Sequence, residues 1–280
     1  MAHGQDDQRA AHRPDYAAAP LVDAHAHIYR LDMPMPESAW HRPAHDATLE
    51  EFLRVTTLAG VEKAVFSAAS INGDYNDYML EAIAAHPNLR ATAIVHPETD
   101  PFILKMMRDA GVVGVRLQFR NVDTPPDLTS FAYQKLFRRA ADLGWHIQLH
   151  DEGDRIHHYI ETIENAGPRL VIDHFGRPSA NGAPDSAGFV AVLRALERGR
   201  TWVKLSGTFR LKNPEMAPLY ARRLLDSGGA QRLLWGSDWP FAAFEGKINY
   251  ADAIADHCTN VPDFETRAAI DQNALDFYFS

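Results

Sequence analysis

Leu233-Leu234-Trp235-Gly236-Ser237-Asp238-Trp239-Pro240 closes the last apolar run of the chain, and Leu21-Val22-Asp23-Ala24-His25-Ala26-His27 closes the first. A His-x-His ending one strand and an Asp ending another, far apart in sequence, meet only if the strands curl into a closed barrel. Two more histidines, His150 and His174, end apolar runs in between. Four imidazoles and one carboxylate at strand ends are a ligand set for a divalent metal and a water.

Working outward, eight apolar, β-branched runs occur at 21–27, 62–68, 89–95, 112–119, 145–151, 170–175, 201–207 and 233–238. Most are rich in Val, Ile and Leu, as strands buried on both faces should be. Amphipathic segments lie between them. Thr48-Leu49-Glu50-Glu51 is a capping box, and Gly60 stops the helix it opens. Stretches 74–86, 129–143 and 154–166 follow the same plan, ended by Pro87, Gly144 and Gly167-Pro168. The alternation predicts an α/β fold, a (β/α)8 TIM barrel in a single domain over residues 20–280. Residues 1–19 are polar and Ala/Pro-rich and read as a flexible arm. The irregular stretch 29–47 carries Pro34, Pro36 and Pro43 and is expected to fold over the mouth as a partial lid.

A net charge of −9 argues against nucleic acid or an anionic membrane as partner. No apolar run reaches the ~18 residues of a membrane span. Cys258 is the only cysteine, so no disulfide forms within the chain, which fits a cytoplasmic setting. A homo-oligomer is compatible with the sequence, which does not fix the oligomeric state.

Catalytic groups of such barrels sit at the C-terminal strand ends. A strand period of two puts Asp23, His25 and His27 on one face, and His146, Gln148 and His150 on another. A lone histidine is more often structural than functional, but five matching residues at four strand ends are harder to dismiss. Asp23 and Asp173 read as strand-end groups orienting neighbouring backbone or imidazoles.

The strings Val22-Asp23-Ala24-His25-Ala26-His27, Gly114-Val115-Arg116, Asp173-His174-Phe175-Gly176-Arg177-Pro178 and Trp235-Gly236-Ser237-Asp238-Trp239-Pro240 resemble the amidohydrolase superfamily. They are most similar to the branch holding 2-pyrone-4,6-dicarboxylate hydrolase, 4-sulfomuconolactone hydrolase and sugar-lactone lactonases. The resemblance spans about residues 21–280 and implies hydrolysis of a lactone, often carboxylated, in a catabolic pathway. The pyrone hydrolase works without a metal, and its fifth strand ends in a residue other than histidine. Here His150 completes a mononuclear set of His25, His27, His150 and Asp238. No lysine ends strand four, where binuclear members carry a bridging lysine, so one metal, zinc first, is favoured over two.

On that reading Asp238 is the general base and His174 polarises the lactone carbonyl. A metal-free route would use the same carboxylate. Arg116 and Arg177 are expected to bind an anionic lactone through its carboxylates, and Trp239 to wall the pocket. Arg120 and Arg210 read as surface or capping arginines, and Lys204 as part of an interior or helix-layer ion pair. Trp40 and Tyr75 read as packing or rim groups. Two alternatives stand beside lactone hydrolysis: a metal-dependent decarboxylase on the same fold, and a non-catalytic binding protein on a degenerate barrel.

Overall fold

The computed structural model describes residues 19–178 and 184–280. The sequence-based arm at 1–19 lies almost wholly outside them. Eight parallel strands form one sheet in chain order: β1 (Val22–Ala26), β2 (Lys63–Ser67), β3 (Leu89–Ala93), β4 (Val112–Gln118), β5 (His146–His150), β6 (Arg169–Ile172), β7 (Thr201–Ser206) and β8 (Leu233–Gly236). The chain just past β8 closes the ring on β1. Asp238 N–H donates to the His25 carbonyl at 2.7 Å, and His27 N–H donates to the Trp239 carbonyl at 2.8 Å. Helices α1 (Leu49–Ala59), α2 (Asp77–Ala85), α3 (Pro101–Ala110), α4 (Phe131–Asp142), α5 (Gly153–Ala166), α6 (Ala187–Glu197), α7 (Ala217–Gly228) and α8 (Tyr250–Asn260) form the outer layer. A ninth, α9 (Phe264–Phe279), follows. This is a (β/α)8 barrel.

Local chemistry sets the boundaries where the sequence suggested it. The Thr48 hydroxyl accepts from Glu51 N–H at 3.2 Å, while Glu51 returns an acceptor to Thr48 N–H at 3.3 Å. Gly60 ends α1 at φ +82°, a conformation that costs other residues dearly.

The inside of the barrel is layered. At the floor, Val22, Ala24, Val65, Val171, Trp202 and Leu234 pack under Ala274, Phe277 and Tyr278 of α9. Above them comes a buried polar layer of Thr92, Gln148, Asp173, Lys204 and His25. The rim follows, where the strands end.

Strand β1 departs from simple alternation. Its register on β2 runs Asp23↔Ala64 and then Ala26↔Phe66, so one extra residue is inserted between them. An inserted residue reverses which side chains face in. Ala24 therefore belongs to the inner floor cluster and Ala26 to the outer one. Asp23 does not share a face with His25 and His27, contrary to the period-two expectation. Its carboxylate turns to the seam with α8, accepting from Ser237 N–H at 2.9 Å, the Ser237 hydroxyl at 2.5 Å and the Tyr250 hydroxyl at 2.9 Å.

Candidate active site

His25 and His27 enter the barrel from β1. Gly236 makes room for them: a Cβ there would lie 2.4 Å from His25 Cβ. His27 Nδ1 donates to the Ser67 carbonyl at 2.7 Å, leaving a lone pair on Nε2. His25 Nδ1 faces Asp173 Oδ1 at 3.3 Å and Lys204 Nζ at 3.3 Å. The two Nε2 atoms are 3.2 Å apart. Asp238, at φ +64° past β8, places Oδ1 at 3.3 Å from His27 Nε2 and 3.7 Å from His25 Nε2. That oxygen is buried and has no hydrogen-bond partner.

These three atoms suit a divalent cation. A tetrahedral ion bonded at 2.0–2.1 Å has ligand–ligand edges of about 3.3–3.4 Å, close to the separations just given. The group His25, His27 and Asp238 is buried, with ligand atoms all within 4.8 Å of one another. Burial holds both imidazoles below the usual histidine range, and so neutral and able to ligate. The expected fourth ligand, His150, is not part of this group. It lines the cavity from β5, its ring 4.7 Å from that of His174, with both ring nitrogens buried and partnerless.

His174 follows β6 at φ +52°. Its Nδ1 lies 2.9 Å from the Ser206 hydroxyl, and its Nε2 lies 4.0 Å from Asp238 Oδ2. Burial pulls it down to about 4, so it too is neutral. Gly207 allows this approach, since a Cβ there would meet His174 Nδ1 at 2.9 Å and Asp238 Oδ2 at 3.1 Å.

A cleft of about 520 Å³, counted out to open solvent, lies over these groups. His27, His150, His174 and Asp238 form its base, and Arg116, Arg120, Arg177 and Arg210 line its wall. Arg116 donates to the Ala68 carbonyl at 2.6 Å and stands 3.6 Å from Asp173. Glu152 receives Arg120 at 2.8 Å and Arg177 at 3.4 Å. Segment 29–47 leans over the opening, pinned where Tyr29 and Ala47 exchange hydrogen bonds of 2.9 Å. Trp40 lines the cleft and donates to the Ser70 hydroxyl at 3.1 Å, whereas Tyr75 packs against the core.

Two readings change. Arg210 is no surface group: its Nε donates to Asp238 Oδ2 and its NH1 to the Ala242 carbonyl. Burial alone would raise the Asp238 pKa, but the Arg210 guanidinium, chief among its neighbours, outweighs it and holds the carboxyl well below its usual range. Trp239 does not wall the cleft. Strand alternation past Asp238 sends it outward, its ring 5.4 Å from that of Phe52. Lys204 makes the interior ion pair expected of it, sitting inside the barrel with no exposure beside Asp173 and His25. Asp173 also accepts from Gln148 at 2.9 Å on both oxygens. The hint for Lys204 was a charged residue within an apolar strand run, since a buried charge needs partners. Arg210 gave no sequence signal, because its reach depends on the loop after β7.

The model of the amidohydrolase family matches residues 22–279, and the chain belongs to this family. It is 28% identical over 231 residues to a 4-sulfomuconolactone hydrolase of Hydrogenophaga intermedia, covering 79% of this chain and 75% of that protein. It is 29% identical to a 2-pyrone-4,6-dicarboxylate hydrolase of Comamonas testosteroni, covering 79% and 77%. A crystal structure of a probable 2-pyrone-4,6-dicarboxylic acid hydrolase from Acinetobacter baumannii, with citric acid bound, superposes with a TM-score of 0.87 at 28% identity. That match covers 92% of this chain and 99% of the other. Among the described residues, no helix is long and apolar enough to cross a membrane.

Proposed function

We propose that this chain is a carboxylic ester hydrolase that opens the ring of an anionic lactone. One observation carries the reading: a buried carboxylate oxygen, Asp238 Oδ1, has no partner and sits below a cleft walled by four arginines. An orphaned acceptor there awaits a proton or a cation, and fixed guanidinium groups favour substrate anions. The named activities of the relatives, on a sulfonated and a dicarboxylated ring, support the same class. So does citric acid, a tricarboxylate, in the related structure.

His25, His27 and Asp238 would hold one divalent cation, with zinc favoured by two imidazoles and a carboxylate. Such an ion acidifies water and polarises a carbonyl when bound. Asp238 takes the proton from the attacking water and passes it to the leaving alkoxide. Arg210 keeps the Asp238 carboxylate ionised and aimed. His174 Nδ1 faces the Ser206 hydroxyl at 2.9 Å and the Ser206 carbonyl at 3.3 Å; with the hydroxyl donating to Nδ1, His174 Nε2–H would meet the lactone carbonyl oxygen. His150, with both nitrogens free of protein partners, is placed beside it as a second contact to substrate. Arg116 and Arg177 bind the substrate's carboxylates.

The test is a panel of charged and neutral lactones offered to purified protein, with CO2 detection against aromatic carboxylic acids. Ring opening confined to charged lactones is expected. CO2 release without ring opening would replace the reading by decarboxylation, and inertness to both with tight anion binding by a binding role.

A further inference from the structure

The proton on His25 has two self-consistent homes. The Ser67 carbonyl can only accept, so His27 keeps its proton on Nδ1 and offers a lone pair at Nε2. With the His25 proton on Nε2, an unbroken run of donors follows. Lys204 Nζ donates to His25 Nδ1 at 3.3 Å, His25 Nε2 to His27 Nε2 at 3.2 Å, and His27 Nδ1 to the Ser67 carbonyl at 2.7 Å. With the proton on Nδ1 instead, His25 donates to Asp173 Oδ1 at 3.3 Å. Both Nε2 lone pairs then point into the space that Asp238 Oδ1 borders. Only the second arrangement leaves His25 able to ligate a cation. His25, Asp173 and Lys204 are all at most 1% exposed, so bulk water cannot stand in for a lost partner.

We infer that Lys204 and Asp173 form a tautomer switch on His25. Lys204 holds the proton on Nε2 while no cation is bound, and Asp173 receives it on Nδ1 when one is. The imidazole stays neutral throughout: one proton leaves Nε2 and one arrives at Nδ1. Lys204 thus opposes cation binding and Asp173 supports it, although both meet the same nitrogen. Gln148 and Arg116 also hold Asp173, so the carboxylate keeps its place if Lys204 is changed. Lys204 and Asp173 are positioning residues, acting through His25.

The inference rests on the proposed metal set, and its test does not read hydrolysis. Zinc affinity is measured by chelator competition on folded wild type and variants. Asp173→Asn is expected to weaken zinc about 10–100-fold, the usual scale for a group that orients a ligating histidine. Lys204→Met is expected to tighten it about tenfold by removing one competing hydrogen bond. Lys204→Gln retains a donor and should stay near wild type, which also serves if the methionine variant does not fold. Imidazole 15N NMR of metal-free protein should show His25 protonated on Nε2, moving to Nδ1 on zinc addition. General structural damage would weaken zinc in both the Asp173 and Lys204 variants. That result, or a metal-free protein already protonated on Nδ1, overturns the switch while leaving the metal set standing. Zinc binding to neither wild type nor any variant overturns the metal set and the switch together.

Discussion

The two ends of the barrel are built on opposite plans. The floor is apolar: Val22, Ala24, Val65, Val171, Trp202 and Leu234 meet Ala274, Phe277 and Tyr278 of α9. Its polar exception, His146, has both ring nitrogens partnerless and lies 5.3 Å ring to ring from Phe277. The rim gathers charge and strained backbone. Among the described residues, the non-glycine positions with positive φ are His174, Phe175, Arg177, Asp238, Phe241 and Ala243, all following β6 or β8. Each costs roughly 1–2 kcal/mol relative to ordinary backbone. The fold places its packing at one end and spends stability at the other, where side chains must aim at a ligand. Rim substitutions should therefore cost turnover, and floor substitutions should cost stability.

The largest effect is expected at Asp238. Asp238→Asn keeps shape and removes basicity, so kcat for ring opening should fall by at least ~10²-fold. Near-normal kcat in the folded variant would remove Asp238 from the proposed mechanism.

Phe277→Ala sharpens the other half of the contrast. Truncating a buried aromatic side chain typically costs about 3–5 kcal/mol. Denaturant unfolding should show a loss of this order, with kcat of the remaining folded protein within a few-fold of wild type. A large kcat defect without loss of stability would mean that floor and rim are coupled.

A smaller change is expected at Arg177. Losing one charge-assisted bond to substrate costs roughly 1.5–3 kcal/mol, or about ten- to hundredfold in kcat/KM. Arg177→Met should weaken turnover of a carboxylated lactone by that factor and spare a neutral one. Arg116→Met should show a weaker form of the contrast, because Arg116 also supports Asp173 and the Ala68 carbonyl. Equal losses on both substrates would assign these arginines to the scaffold.

The smallest effect lies in the helix layer. His257 of α8 is buried against Trp235, and burial, helped by Arg267, lowers it to about 3. An unfolded histidine titrates near ~6.5. The folded pKa is the lower one, so the stability from keeping His257 neutral is complete above that value. It is lost as pH falls from there toward the folded pKa, by at most ~1.4 kcal/mol per pH unit. His257→Gln should flatten the acid limb of a stability–pH curve by up to this slope. An unchanged limb would show that His257 is not the group responsible.

Much of the site could be read from the chain. Val, Ile and Leu runs marked the strands, and in a parallel barrel every C-terminal strand end reaches one rim. His27, His150, His174 and Asp238 were placed there by chain direction alone, with His25 one layer beneath them. The helix after Thr48 was equally readable, because its cap is chemistry between residues three apart. The segment 29–47 was visible as an interruption too long and too Pro-rich to be a plain connection.

What the sequence by itself determined is therefore the number and direction of the strands, the family motifs and the residue types at the rim. These rest on local periodicity and covalent order. Only the tertiary structure decided which of these residues meet. The extra residue in β1 turned Asp23 outward, because facing depends on register with β2 rather than on alternation within β1. His150 fell outside the group formed by His25, His27 and Asp238, because ring separations depend on barrel curvature. The loop after β7 swung Arg210 onto Asp238, and the barrel axis brought Lys204 of β7 against His25 of β1. Those contacts join residues distant in sequence, and their geometry exists only once the barrel has closed.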